Sequence, residues 1–148
     1  MELVERIRKA GKVLIIGNGG SWANAEHISC DLLNCGIPAF TMNAAQFSAF
    51  ANDNGYYNSF SHWVSIVGNR GDLLIALSGS GKSPNIQRAC DVAKLGGMDV
   101  YQEFGAPQGF DMQASEERQI WLGHELMRQL KRANAVATAR ELDSPYPE

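Results

Sequence analysis

Long apolar runs are missing from this chain. No stretch of its 148 residues approaches the ~18 consecutive apolar positions that a membrane span requires. Cysteine is scarce: Cys30, Cys35 and Cys90 form an odd set without metal-type C-x-x-C spacing. That argues against a disulfide scaffold and for a reduced, cytoplasmic setting with cysteines as small apolar fillers. An excess of positive charge is also absent. Thirteen Lys and Arg stand against 16 Asp and Glu, for a net charge of -3, which leaves no basic footprint and predicts no direct nucleic-acid partner. The opening residues, MELVERIRKAGK, break their apolar positions with charge and do not read as a signal-peptide core. No repeat, low-complexity block or linker divides the sequence. Its length suits one domain that buries a core without disulfides or metals, expected over residues 1–142 with a polar tail at 143–148.

Short apolar segments alternate with helical patterns. Residues 1–12 read as a helix with Leu3, Ile7 and Ala10 along one side. Val13 to Ile16 is a continuous apolar run, as in a strand buried on both faces, and a glycine turn leads from it into a helix over about 22–33. A weaker strand is predicted over 38–42 and a short helix over 44–51. Asn52-Asp53-Asn54-Gly55 carries turn chemistry, with a helix over 56–67 after it. The strand at 73–77 runs through a Ser/Gly loop into a helix over 84–95, which Gly96-Gly97 ends. A fourth strand over 98–102, a loop over 105–109 and one long helix over 114–142 complete the chain. Strands alternating with helices predict a parallel sheet covered on both faces. Ligands of such sheets sit beyond the carboxyl ends of the strands, where both glycine-rich loops fall.

Each loop frees backbone N–H groups at a helix start, a natural place for an anion; the plainer reading is a tight strand-to-helix turn. Three ligands compete. A dinucleotide wants G-x-G-x-x-G/A, but in Gly17-Asn18-Gly19-Gly20-Ser21-Trp22 the tryptophan stands where Gly or Ala is needed, and no acidic residue follows the second strand. A nucleoside triphosphate would use Gly81-Lys82-Ser83, yet no apolar strand ends in the aspartate that magnesium requires. No nucleotide cofactor is expected. A sugar phosphate fits best, because serine hydroxyls and backbone amides suffice for one dianionic group.

The segments "GNGGSWANAEH", "ANDNGYYNSFSHWV" and "GDLLIALSGSGKSPN" resemble the sugar isomerase (SIS) domain family, in particular its phosphoheptose isomerase branch. The resemblance runs from about Lys12 to Val100, with a weaker echo in the last helix. It implies an α/β fold, a three-layer α/β/α sandwich with a parallel sheet of four or five strands, and an aldose–ketose isomerase acting on sedoheptulose 7-phosphate. It implies phosphate contacts from Ser78, Ser80 and Ser83, with Lys82 adding charge where the family commonly has Asn. Asn18, Gly19 and Ser21 would contact sugar and phosphate, and Asp53 would line the neighbouring part of the site. Such chemistry moves a proton between adjacent carbons through an enediol. The family uses a Glu on the helix after the first loop and a His on the last helix, and some members bind zinc there. By this alignment Asp31 takes the Glu position, with His27 one turn before it. Glu116 takes the Gln position, Gln119 that of the catalytic His, and His124 that of a second His. The implied metal ligands are His27, Asp31 and Glu116. The implied partners are a small phosphorylated sugar and further copies of the chain, as a dimer or tetramer.

Departures from the family pattern bear on the chemistry. Asp31 is one methylene shorter than Glu, and small misplacements of a reacting group cost ~10²-fold in rate. Gln119 cannot shuttle a proton. The last-helix alignment crosses a deletion, and a slip of one turn would bring in His124 instead. The alternative function is therefore a catalytically eroded SIS domain that binds a phosphosugar or bridges proteins without turnover. Plainer roles stand beside these: His27 as a hydrogen-bonded core or interface residue, Glu116 and Glu117 as first-turn acids favoured by the helix dipole, the tryptophans as packing groups and His62 as structural.

Overall fold

The computed structural model describes residues 2–102 and 111–142, with side chains through residue 137. The loop expected over 105–109 and the tail at 143–148 lie outside the described residues. Four strands form one parallel sheet: β1 (Val13–Gly17), β2 (Ala39–Phe40), β3 (Leu73–Leu77) and β4 (Asp99–Tyr101), in the order β2-β1-β3-β4. Val13 pairs with Ala39 on one side and Leu73 on the other, and Gly17 pairs with Leu77. β1 and β3 are buried along their whole length, as their unbroken apolar runs predict.

Because side chains alternate along a strand, the two central strands feed two separate cores. Val13, Ile15, Leu73, Ile75 and Leu77 face α1 (Leu3–Lys9), α2 (Gly20–Asn34) and α6 (Met112–Leu142), meeting Ile7, Ala25, Ile28, Leu32, Leu126 and Leu130. Leu14, Ile16, Leu74 and Ala76 face α3 (Ala44–Asn54), α4 (Ser59–Val67) and α5 (Pro84–Leu95), meeting Phe60, Trp63, Val64, Ile86 and Ala89. The layers are α/β/α. Each fully buried aliphatic side chain contributes about 1.5–3 kcal/mol relative to exposure.

Three elements differ from expectation. The second strand shrinks to Ala39–Phe40; Pro38 just before it has no N–H to pair, although its carbonyl accepts from Val13 N at 2.8 Å. Asn52, Asp53 and Asn54 are helical rather than a turn, because α3 starts at an Asn43/Gln46 capping box and runs on to Gly55. The helix expected over 56–67 divides into a 3-10 turn at Tyr56–Asn58 followed by α4.

Polar clamps hold the opposite edge of the sheet, away from the loops. Asp72, 3% exposed, accepts hydrogen bonds from Lys12 N, Lys12 Nζ and Asn69 N. Arg6 of α1 holds Asp99 of β4 through two bonds of 2.7 Å.

Candidate functional site

The loops after β1 and β3 lie side by side because their strands are neighbours in register. In the first loop Gly19 has φ +56, a conformation that favours glycine, and α2 then begins without a side-chain cap or an acidic residue in its first turn. Asn18 Nδ2 donates to Asn85 Oδ1 at 2.9 Å, and Asn85 Nδ2 donates back to Asn18 Oδ1 at 3.0 Å. The Tyr56 hydroxyl donates to the same Asn18 oxygen at 2.9 Å. The Asn18 carboxamide is thus engaged in joining three elements, and Asn85 at the start of α5 is 2% exposed.

The second loop folds on its own hydroxyls. Gly81 N donates to Ser78 Oγ at 3.1 Å, Lys82 N donates to Ser80 Oγ at 3.1 Å, and Ser78 Oγ lies 3.3 Å from Ser83 Oγ. Gly81 has φ +69. The Lys82 ammonium is exposed and has no partner among the described residues. The start of α6 closes over this loop, with Ser115 Oγ donating to Gly79 O at 3.0 Å.

From that edge α2 and α6 descend side by side. A Cβ on Gly20 would collide with the Glu116 carboxylate, which therefore lies against the amino end of α2. One turn lower, Asn24 Nδ2 donates to Glu116 O and to Gln119 Oε1, each at 2.9 Å. Gln119 Nε2 donates to Ser21 Oγ at 3.0 Å. Gln119 is fully buried and Ser21 is 3% exposed. Lower still, His27 Nε2 and His124 Nε2 stand 3.0 Å apart, and Asp31 Oδ2 lies 3.3 Å from the first and 3.6 Å from the second. Gly123 permits this approach, since a Cβ there would come within 2.6 Å of Ile28 Cγ1.

Asp31 Oδ2 is buried and has no hydrogen-bond partner among the described residues, while the His27 side chain is 52% exposed. An orphaned carboxylate oxygen facing two imidazole nitrogens is a donor set that a divalent ion would complete, and one ligand atom from each residue lies within 4.8 Å of the others. His27, Asp31 and His124 fit a metal.

All of the expected site residues except Asp53 fall into three places. Asn18, Gly19, Ser78, Ser80, Lys82 and Ser83 surround the paired loops. Glu116, Ser21 and Gln119 lie in the upper part of the α2–α6 contact, and His27, Asp31 and His124 form the cluster below it. Glu116 stands outside that cluster, and Gln119 is held by Ser21 and Asn24 rather than facing Asp31. Asp53 is exposed near the end of α3, bonded to Asn52. Asn24, Tyr56, Asn85 and Ser115 went unnoticed in the sequence. Asn85 alone carried a signal, a polar residue directly after the serine loop and before apolar Ile86.

Known proteins resemble this chain in sequence and in fold. The chain is 44% identical over 103 residues to the phosphoheptose isomerase of Burkholderia pseudomallei, covering 64% of this chain and 52% of that protein. It is 37% identical over 129 residues to the phosphoheptose isomerase of Sodalis glossinidius, covering 82% and 66%. The chain therefore spans about half the length of the first of these curated relatives and about two thirds of the second. The solved phosphoheptose isomerase of Neisseria gonorrhoeae superposes with a TM-score of 0.77 at 25% identity, over 88% of this chain and 81% of that one. That of Francisella tularensis gives 0.77 at 26%, over 88% and 80%. A SIS-domain profile matches residues 2–102, and with it the chain belongs to the SIS domain family.

Proposed function

We propose that this domain interconverts the ketose and aldose forms of a phosphorylated sugar, with sedoheptulose 7-phosphate the substrate suggested by its relatives. One observation carries the reading: the packed pair α2 and α6 abuts the anion cradle at its upper end and brings a carboxylate beside two imidazoles along its length. From the head of α2 to His27 the helix descends about 10 Å, and from Glu116 to His124 about 12 Å. An extended sugar chain anchored by its phosphate reaches that far.

In this reading Ser78, Ser80 and Ser83, the free amides of the loops and the Lys82 ammonium bind the phosphate. Asp31 takes the proton from C1 of the ketose while His124 delivers one to the C2 oxygen, giving the enediol. The O1 proton is then removed and C2 receives a proton, giving the aldose. In a zinc-bound form His27, Asp31 and His124, rather than Glu116, would hold the ion, and its polarisation of the carbonyl would then stand in for the proton from His124. Gln119, buried between the helices, orients Ser21 and Asn24. Assembly into a dimer or tetramer and a cytoplasmic location belong to the same proposal; among the described residues no helix is long and apolar enough to cross a membrane.

The test is incubation of the protein with sedoheptulose 7-phosphate, with and without zinc, followed by NMR of the sugar carbons. Turnover that disappears in Asp31→Asn and His124→Gln supports the reading. Binding of the sugar phosphate without turnover overturns the enzyme and leaves a binding module.

A further inference from the structure

A second cleft, of about 380 Å³, opens on the opposite helical layer, between the end of α3, the 3-10 turn, α4 and α5. Its size falls within the range of small-molecule sites. Seven residues line it, six of them polar and none a carboxylate. Arg88 of α5 is exposed and makes no hydrogen bond or ion pair among the described residues, although Asp91 follows one turn later on the same helix. His62 is fixed edge-on against the Phe50 ring, centroids 4.7 Å apart at 90°, with neither ring nitrogen engaged among the described residues.

The remaining groups have a definite polarity. Ser61 Oγ donates to Asn58 O at 3.2 Å and Ser65 Oγ donates to His62 O at 2.6 Å, so both hydroxyls have their hydrogens spent and can act only as acceptors. Asn58 spends its amide on Asn54 O at 3.0 Å, and its side-chain oxygen has no partner among the described residues. The Asn54 side chain is unengaged among the described residues. The cleft therefore offers a guanidinium fork, an imidazole and an amide to an oxyanion, and a row of acceptors to hydroxyl hydrogens.

We infer that this cleft is a second ligand site, for a polyhydroxylated compound bearing one phosphate or carboxylate, held by Arg88 and His62 through its oxyanion. An uncharged polyol would leave Arg88 unused, and inorganic phosphate alone would leave the serine and asparagine acceptors unused. The site is chemically independent of the paired loops, although the 3-10 turn supplies Asn58 here and Tyr56 to Asn18 there.

The experiment is titration of the full ¹⁵N-labelled chain with glucose 6-phosphate, gluconate and sorbitol, read by amide shifts. Amides of residues 58–65 and 88–92 are expected to move with the first two compounds and not with sorbitol. Phosphate and carboxylate as the preferred head group are told apart by which of the two binds more tightly. Arg88→Ala should weaken the response at these amides at least tenfold, with Arg88→Lys intermediate, whereas Ser80→Ala leaves it intact. Arg88 is exposed, so its variants keep the fold, which the unchanged remainder of the spectrum checks. No shift at these amides up to 10 mM (about the weakest binding of interest), or a shift indifferent to Arg88→Ala, overturns the inference. Shifts there that follow protein concentration rather than ligand would make this face a self-association surface and overturn it equally.

Discussion

Asn18 and Asn85 face each other amide to amide, each donating to the other's oxygen at 2.9 and 3.0 Å, across the gap between the two loops. The pair stands where the loops would otherwise be free to splay. Removing Asn18 leaves the buried donor and acceptor of Asn85 unmet, and removing Asn85 leaves the Asn18 donor unmet while Tyr56 still serves its oxygen, each at a cost of about 1–3 kcal/mol. Asn85→Ala is therefore expected to lower the stability by that amount in urea denaturation and to weaken inorganic phosphate binding in an NMR titration. Asn18→Ala should do the same, and the double variant should cost clearly less than the sum. Additive losses would show that the pair does not act as a unit.

The His27–Asp31–His124 cluster yields a prediction about metal that separates it from Glu116. In zinc calorimetry His27→Ala and His124→Ala should each lower the affinity by at least tenfold, since each removes a ligand. Glu116→Gln should leave it within about twofold, because that carboxylate lies against Gly20 rather than beside the imidazoles. Loss of zinc in Glu116→Gln with retention in His124→Ala would reverse the assignment.

Much of the architecture was legible because the determining signals are local. The runs VLII and LLIAL each had to be central strands, and glycine loops after both had to share one edge of a parallel sheet. The layer structure followed from alternation alone. Side-chain partnerships between α2 and α6 were less legible, because they depend on the rotation of α6 against α2. A family alignment of the last helix put Gln119 at the position of the catalytic His and left His124 as its replacement after a slip of one turn; the fold buries Gln119 under Ser21 and brings His124 to His27. Nothing local in the residues around 119–124 distinguishes the two, since both lie on the side of α6 that turns toward α2. The extent of α3 was missed for a different reason: Asn, Asp and Gly favour turns in isolation, and the capping box with packing of Phe47 and Phe50 overrides that preference.

Asp99 gives a pH dependence of known sign. The hydrogen bond from Arg6 is the main cause that holds its carboxyl below the usual range. A depressed carboxyl contributes stability that is complete above its unfolded value, near 3.9, and is lost as pH falls through the folded value. Asp99 is half exposed, so the pair is worth no more than about 1 kcal/mol. Asp99→Asn should therefore lower the stability slightly at pH 7, and the difference from the native chain should close as the pH drops below about 4. A gap that stays constant through the acid range would argue against the ion pair as its source.

The cysteines should differ sharply toward alkylation. Burial pushes the Cys90 thiol up to about 11 and raises that of Cys35, while Cys30 is exposed on α2. Since the thiolate is the reacting form, brief iodoacetamide treatment of the native protein at pH 8 should mark the Cys30 peptide first in mass spectrometry. Cys35 and Cys90 should react only after denaturation. Native labelling of Cys90 at the rate of Cys30 would mean that the α5 side of the core opens.

Gly123 links packing to chemistry, and its replacement tests the site without touching any group that reacts. Gly123→Ala would put a methyl within 2.6 Å of Ile28 Cγ1, so α6 must move away from α2 or Ile28 must shift. Overpacking of this kind costs about 1–3 kcal/mol. The displacement falls beside His124, whose nitrogen is 3.0 Å from that of His27. Zinc affinity should therefore drop at least tenfold in Gly123→Ala, while phosphate affinity at the serine loop stays near its native value. Restoring room with the double variant Gly123→Ala/Ile28→Ala, which removes Cγ1, should recover part of the zinc affinity, which general destabilisation alone would not predict. Equal losses of zinc and phosphate binding in the single variant would show that the two ends of the α2–α6 pair are not positioned separately.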